Sequence, residues 1–160
     1  MILVDKNVNN FVLVDGSSYL YRAYYALPHL KNLIGEHTGA IFGVSSMIFK
    51  LLKTYNPRHL CVVFDARGKN YRHRIYKDYK ANRSAMPSEL SEQVKPIMSF
   101  IENLGIKILQ VPDVEADDVI ATLATINYDK NVNILISSGD KDLAQLVSNR
   151  VTLVNSMDDK

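Results

Sequence analysis

Short apolar runs alternate with helix-spaced stretches along the chain. Phe11-Val12-Leu13-Val14, Leu60-Cys61-Val62-Val63-Phe64, the run 106–111 and Val132-Asn133-Ile134-Leu135-Ile136 read as buried strands at 11–15, 59–65, 106–111 and 132–137. A further strand is expected at 151–154. Between them, a helix is predicted near 17–27, with Ser17 or Ser18 as its N-cap. A second lies near 40–54, where Phe42, Met47, Ile48, Leu51 and Leu52 recur at helical spacing, and Asn56-Pro57 stops it. A third spans about 88–104, with Gly105 just past its end and Pro96 inside, where it should kink or split the helix. A fourth, 116–127, carries the stripe Val119, Ile120, Leu123 and Ala124, and a short helix is expected near 140–147. Gly35 and Gly39 mark a loop. Strands spaced by helices predict an α/β domain of three layers, helix, mainly parallel sheet and helix.

Residues 67–87 do not fit this alternation. They are polar, basic and tyrosine-rich, and too long for a simple connection. They are expected to form a partly helical excursion over one edge of the sheet. Arg67, Lys69, Arg72, Arg74, Lys77, Lys80 and Arg83 face one acid, Asp78, within 67–83, so this stretch is +6. The whole chain is only +2, which leaves the rest at −4. A basic stretch beside an acidic remainder suits a polyanion gripped at its phosphates. Tyr71, Tyr76 and Tyr79 interleave with the basic residues and could stack on unpaired bases. A solvated basic loop is the plain alternative.

The acidic residues supply the chemistry. Asp15 follows the first strand and Asp65 the second. Glu115, Asp117 and Asp118 follow the third, and Asp140 and Asp142 follow the fourth. The carboxyl ends of parallel strands share one edge, where ligands bind. Seven carboxylates gathered there repel one another unless cations neutralise them, and hard divalent ions with oxygen ligands fit best. Helix capping accounts for one acid per helix, not three at one and two at the next. Two-metal hydrolysis of a phosphodiester accounts for the set. An aspartate after the first strand also occurs in phosphatases and receiver domains, but those folds need fewer acids and no long basic segment. No glycine-rich phosphate loop is present, which argues against a nucleotide cofactor.

At 160 residues, 47% hydrophobic and 22% charged, the chain is an ordinary globular domain. Its one cysteine, Cys61, allows no internal disulfide and sits inside an apolar strand as a buried thiol. No apolar run approaches the ~20 residues of a membrane span, and the start lacks a signal peptide's basic and hydrophobic regions. A cytoplasmic protein without a membrane partner is expected. His29, His37, His59 and His73 show no metal-ligand spacing.

The motifs Val14-Asp15-Gly16-Ser17-Ser18-Tyr19-Leu20-Tyr21-Arg22-Ala23, Val63-Phe64-Asp65-Ala66, Val114-Glu115-Ala116-Asp117-Asp118-Val119-Ile120 and Ser138-Gly139-Asp140-Lys141-Asp142-Leu143-Ala144-Gln145-Leu146 resemble the 5′-nuclease domain found at the amino end of bacterial DNA polymerase I. That domain belongs to the flap endonuclease family, with a PIN-like fold. Tyr79-Lys80 and Asn82-Arg83 are similar to the family's helical arch motif. The resemblance runs from about residue 11 to 155. It implies a metal-dependent 5′→3′ exonuclease and 5′-flap endonuclease of replication and repair, acting on DNA and, in some members, on RNA paired to DNA. It implies two Mg²⁺ ions, replaceable by Mn²⁺, at Asp15, Asp65, Glu115, Asp117, Asp118, Asp140 and Asp142. Asp15, Asp65, Lys80 and Arg83 are the catalytic candidates, and Arg22, Tyr79, Lys80 and Arg83 the substrate-binding ones. A polymerase domain acting in trans is a candidate partner. The family's following helical DNA-gripping region has no counterpart within 1–160, which reads as a single catalytic domain. Its lack leaves two other readings open: a DNA-end-binding fragment without turnover, and a PIN-type ribonuclease.

Overall fold

The computed structural model describes residues 10–27, 30–126 and 132–155. The expected helix end at 127, His29 and the first nine residues lie outside them. Five strands form one sheet: β1 (Asn10–Asp15), β2 (His59–Val63), β3 (Lys107–Leu109), β4 (Asn133–Ser137) and β5 (Val151–Val154). Their order is β3-β2-β1-β4-β5, and every pairing is parallel. The chain leaves β1 to build β2 on one side and β4 on the other. The strand order therefore reverses at β1, the place where open α/β sheets bind ligands. Register aligns the strand ends there, with Asp15 opposite Val63 and Val14 opposite Ser137.

Alternation within the strands separates the two faces. Val12, Val14 and Val62 pack with Leu20 and Ala23 of α1 (Gly16–Ala26), Ile48 and Leu51 of α2 (Gly39–Tyr55), and Leu90, Ile97 and Ile101 of α4 (Ser88–Asn103). Leu13, Cys61, Val63, Ile134 and Ile136 pack on the other face with Ala116, Ile120 and Ala124 of α5 (Ala116–Ile126) and with Leu143. These are the three predicted layers. Cys61 is buried, and desolvation pushes its thiol up to about 11, as a structural thiol requires. No helix among the described residues is long and apolar enough to cross a membrane.

A side chain that the pattern did not reveal holds two helices together. Thr38 makes no side-chain cap to α2. Gln93, 3% exposed on α4, does so instead: its Oε1 accepts from the amides of Ala40 and Ile41 at 2.9 and 3.2 Å, while Nε2 donates to Glu89 O. Gln93→Leu keeps the volume but strands these amides. It is expected to cost about 2–3 kcal/mol, read as a fall in Tm of roughly 2–4 °C per kcal/mol for a chain of this size.

Several local expectations are corrected. The N-cap of α1 is Asp15, whose carboxylate accepts from Ser18 N at 2.9 Å, and not Ser17 or Ser18. Pro96 lies in a continuous helix and does not split it. The third strand is shorter than expected, ending at Leu109. The short helix after Asp140 is a 3₁₀ helix, Lys141–Leu146. Within 67–87 the helical part is α3 (Tyr71–Ile75) alone, and 77–82 runs through successive turns. Gly105, with φ at +74°, ends α4 as predicted.

Candidate active site

An open pocket of about 820 Å³ lies over the carboxyl ends of the strands. Asp15 reaches it from β1, Asp65 from beyond β2, Glu115 and Asp117 from the turn into α5, and Asp140 from the turn after β4. Lys80, Arg83 and Ser84 close it from the basic segment, and Lys141 adds a further cation. Five of the seven predicted carboxylates thus line one cavity. Asp118 and Asp142 are not in its lining: Asp118 turns to Arg72, and Asp142 is exposed beside Asp140.

The local folding of the site ties these acids to backbone amides. Asp15 caps α1 and also accepts from Ser138 Oγ at 2.6 Å. Asp65 Oδ1 accepts from Ala116 N at 2.8 Å, so a residue of the second strand end caps α5. Asp118 reaches back to Glu115 N at 3.0 Å, the return half of a capping box. Asp140 accepts from Asp142 N at 2.9 Å at the head of the 3₁₀ helix. Ser17 and Ser18, freed from capping, bond sideways: Ser17 Oγ accepts from Asp65 N and Ser18 Oγ from Gly139 N. They tie the first turn of α1 to the strand ends on either side.

Gly139 is needed for close approach rather than for a left-handed turn. A Cβ there would stand 3.0 Å from Arg22 Nη1 and 3.2 Å from Ser18 Oγ. Arg22 does not line the pocket; its guanidinium reaches Asn155 Oδ1 behind that turn.

Charge is unevenly compensated. Burial raises the Asp15 carboxyl, opposed by its hydrogen bonds from Ser138 and Ser18. Asp117 accepts no hydrogen bond among the described residues. Desolvation, then the charges of Asp15, Asp140, Asp65 and Glu115, push it up to about 6. Asp118 is held below the usual range, first by the Arg72 guanidinium, which meets it at 2.5 and 2.7 Å. Burial raises Glu115, but hydrogen bonds from Lys80 and Tyr79 outweigh it and leave the group low.

The basic segment is therefore folded onto the acids. Lys80 Nζ donates to Glu115 Oε1 at 2.7 Å, Tyr79 OH to Oε2 at 2.9 Å, and Arg74 meets Asp113 at 2.5 and 2.6 Å. Lys80 sits at φ +55° within the turns, so Lys80 and Arg83, although three residues apart, do not share a helix face. They reach the same pocket through the turn closed by Arg83 N on Lys80 O. Tyr79 packs edge-on against His73. Among the described residues, no three His, Cys, Asp or Glu side chains stand in an arrangement that could hold a metal ion. Protein donors occupy several of the same oxygens. The donor set itself is all hard oxygen, and a divalent cation would relieve the repulsion on Asp117, so the chemistry of these residues, though not their present arrangement, fits such an ion.

A family model described as the 5′-3′ exonuclease, N-terminal resolvase-like domain matches residues 10–160. The chain belongs to this family. DNA polymerase I of Pseudomonas aeruginosa is 50% identical over 146 residues, covering 91% of this chain and 16% of that protein. A 5′-3′ exonuclease of Buchnera aphidicola (Baizongia pistaciae) is 49% identical over 148 residues, covering 92% of this chain and 49% of the relative. The chain thus spans half or less of the length of these relatives. The bacteriophage T5 flap endonuclease, solved with DNA and metal ions, superposes with a TM-score of 0.65 at 23% identity, over 90% of this chain and 54% of that one. The fold is that of these nucleases, a PIN-like α/β domain.

The pocket also holds residues to which the sequence assigned no role. Tyr21 and Tyr25 line the pocket from α1. Their i, i+4 spacing on the helix that follows Asp15 was a usable signal. Ser138 joins the two central strand ends, donating to Asp15 and accepting from Asp140 N at 2.9 Å. Asn70, inside the basic segment, donates to Glu115. Ser138 opens one of the motifs and Asn70 lies outside them all, but the role of each depends on a partner distant in the chain.

Proposed function

We propose that this chain is a metal-dependent phosphodiesterase that cuts DNA at 5′ ends and 5′ flaps, working 5′→3′ in replication and repair. The observation that carries the reading is five carboxylates from four strand ends in one pocket, closed by Lys80 and Arg83. Asp15, Asp65, Glu115, Asp117 and Asp140 would hold two Mg²⁺ ions, or Mn²⁺ in their place, with Asp118 and Asp142 at the margin. Bound there, such ions supply an ionised water near neutral pH and charge stabilisation at the attacking and leaving oxygens.

The chain's own side chains bind and orient. Arg83 offers a planar fork for phosphate oxygens, and Lys80 a point charge. Tyr21 and Tyr25, and Tyr79 once released from Glu115, offer ring faces to unpaired bases. Asp15, buried against Ser138, gives the pocket floor a fixed carboxylate. Arg22 buttresses the turn that carries Asp140.

Incubating the chain with 5′-flap DNA and Mg²⁺, then with EDTA, tests this. Cleavage that EDTA abolishes supports it, and an RNA strand paired to DNA and a polymerase domain added in trans extend the same assay. Binding without cleavage would mark a DNA-end-binding domain, and cleavage confined to single-stranded RNA a PIN-type ribonuclease. Arg83→Ala should also lower the slope of log K against log salt by ~0.7 on a single-stranded 5′ end, measured in Ca²⁺. An unchanged slope would remove Arg83 from the phosphate contacts.

A further inference from the structure

We propose that Asn70 is a positioning residue for the acidic pocket: its amide fixes one oxygen of Glu115 independently of the cations that compete for that oxygen. The inference rests on the metal-dependent reading above.

Asn70 is buried, in a stretch from 67 to 86 where every other residue is half-buried or exposed. Its side chain is fixed by the turn it caps. Oδ1 accepts from Arg72 N at 3.1 Å and lies 2.7 Å from His73 Nδ1, in a reciprocal cap on α3. The next residue is anchored too, Tyr71 N donating to Asp113 O at 3.1 Å. With Oδ1 committed, Nδ2 points at Glu115 Oε1, 2.8 Å away.

The donors around Glu115 are not equivalent. Lys80 Nζ shares Oε1 with Asn70, and Arg72 Nη1 stands 3.8 Å from Oε2. Both are cations, so a divalent ion entering the pocket repels them and takes the same oxygens. Tyr79 is neutral but rides on the turn next to Lys80. An amide N–H is neutral and sits on a capped turn. It can keep donating to Oε1 while another lone pair of that carboxylate faces a cation. Asn70 therefore holds Glu115 with the ion present, whereas Lys80 holds it only in the ion's place. The two residues should affect metal affinity with opposite signs.

The test is a Mn²⁺ titration of the whole chain, by the resonance of free Mn²⁺ and by calorimetry, for wild type, Asn70→Ser and Lys80→Ala. Serine keeps a capping oxygen for α3 but is too short to reach Glu115. Asn70→Ser should weaken Mn²⁺ binding about 10-fold, in the range for partners that orient a ligand. It should lower kcat on 5′-flap DNA with KM for DNA little changed. Lys80→Ala should tighten Mn²⁺ binding. Far-UV circular dichroism and melting check the fold, and Asn70→Gly, which also tolerates the cap position, takes the place of a serine variant that fails to fold. Asn70 variants that bind Mn²⁺ within about twofold of a binding wild type would overturn the positioning role alone. A wild type that binds no Mn²⁺ at millimolar concentration would overturn the metal-dependent reading and this inference together.

Discussion

Asp117→Asn is expected to lower nuclease turnover sharply and to make the metal-free domain more stable at neutral pH. The Asp117 carboxyl is pushed up to about 6 by desolvation and by four neighbouring carboxylates, against an ordinary 3.8. Because the folded value is the higher one, the folded state binds the proton more tightly. The stability that Asp117 contributes is complete below pH ~3.8 and is lost as pH rises through ~6. At pH 7–8 the charged group is a liability, which an amide of the same shape removes. The full shift corresponds to roughly 3 kcal/mol at 1.36 kcal/mol per unit. Water reaching a half-buried group screens this to about 1–2 kcal/mol, or a Tm gain of roughly 2–8 °C. The gain should shrink towards pH 4, where the wild-type group is itself neutral. Mg²⁺ should raise the wild-type Tm and raise that of Asp117→Asn less. Turnover should fall on the order of 10²–10³-fold, as for loss of one charge-stabilising group. Melting curves across pH 4–8 with and without Mg²⁺ decide the matter. A variant that melts lower than wild type at pH 7.5 without metal would show that Asp117 is not under repulsion.

The pair Asp15→Asn and Asp15→Ala should separate catalysis from architecture at the most buried of the carboxylates. Asp15 is 4% exposed and is engaged on both oxygens. Alanine removes the cap of α1, about 1 kcal/mol, and leaves the buried Ser138 hydroxyl without its acceptor, about 1–3 kcal/mol. The expected loss is about 2–4 kcal/mol. Asparagine keeps a carbonyl oxygen for Ser18 N and presents an amide to Ser138, whose hydroxyl can rotate to accept it. It should cost under about 1 kcal/mol, since asparagine and aspartate cap helices equally well. Both variants should lose turnover alike, because both lack the negative charge. Urea unfolding and flap cleavage, measured on the same preparations, give the two readouts. Asparagine as destabilising as alanine would make Asp15 a structural residue. An active asparagine variant would remove it from the cation site.

The sequence by itself determined the architecture. Val12 and Val14 alternate with Leu13, so each strand carries apolar residues on both sides and must be covered on both faces. Parallel strands spaced by helices then force all carboxyl ends onto one edge. The acids that follow them, Asp15, Asp65, Glu115, Asp117 and Asp140, meet there without any further information. Local chemistry sufficed equally for the stop at Asn56, which takes the left-handed cap of α2, and at Gly105.

The tertiary structure alone decided what each polar group does within that meeting. Serines after a strand look like helix caps, because capping is a local preference. Here Asp15 takes the cap, and Ser17 and Ser18 bond to neighbouring strand ends separated from them by 48 and 121 residues. Seven acids look equivalent in sequence, yet Asp118 is paired with Arg72, Glu115 is clamped by Lys80, Tyr79 and Asn70, and Asp117 is left under repulsion. Lys80 and Arg83 stand three apart, a spacing that would share one face of a helix, but the segment runs through turns and pairs with the start of α5 instead. Hydrophobic periodicity reports burial, which is averaged over a face. A hydrogen bond or ion pair depends on two particular atoms arriving within about 3 Å, and only the folded chain brings those atoms together.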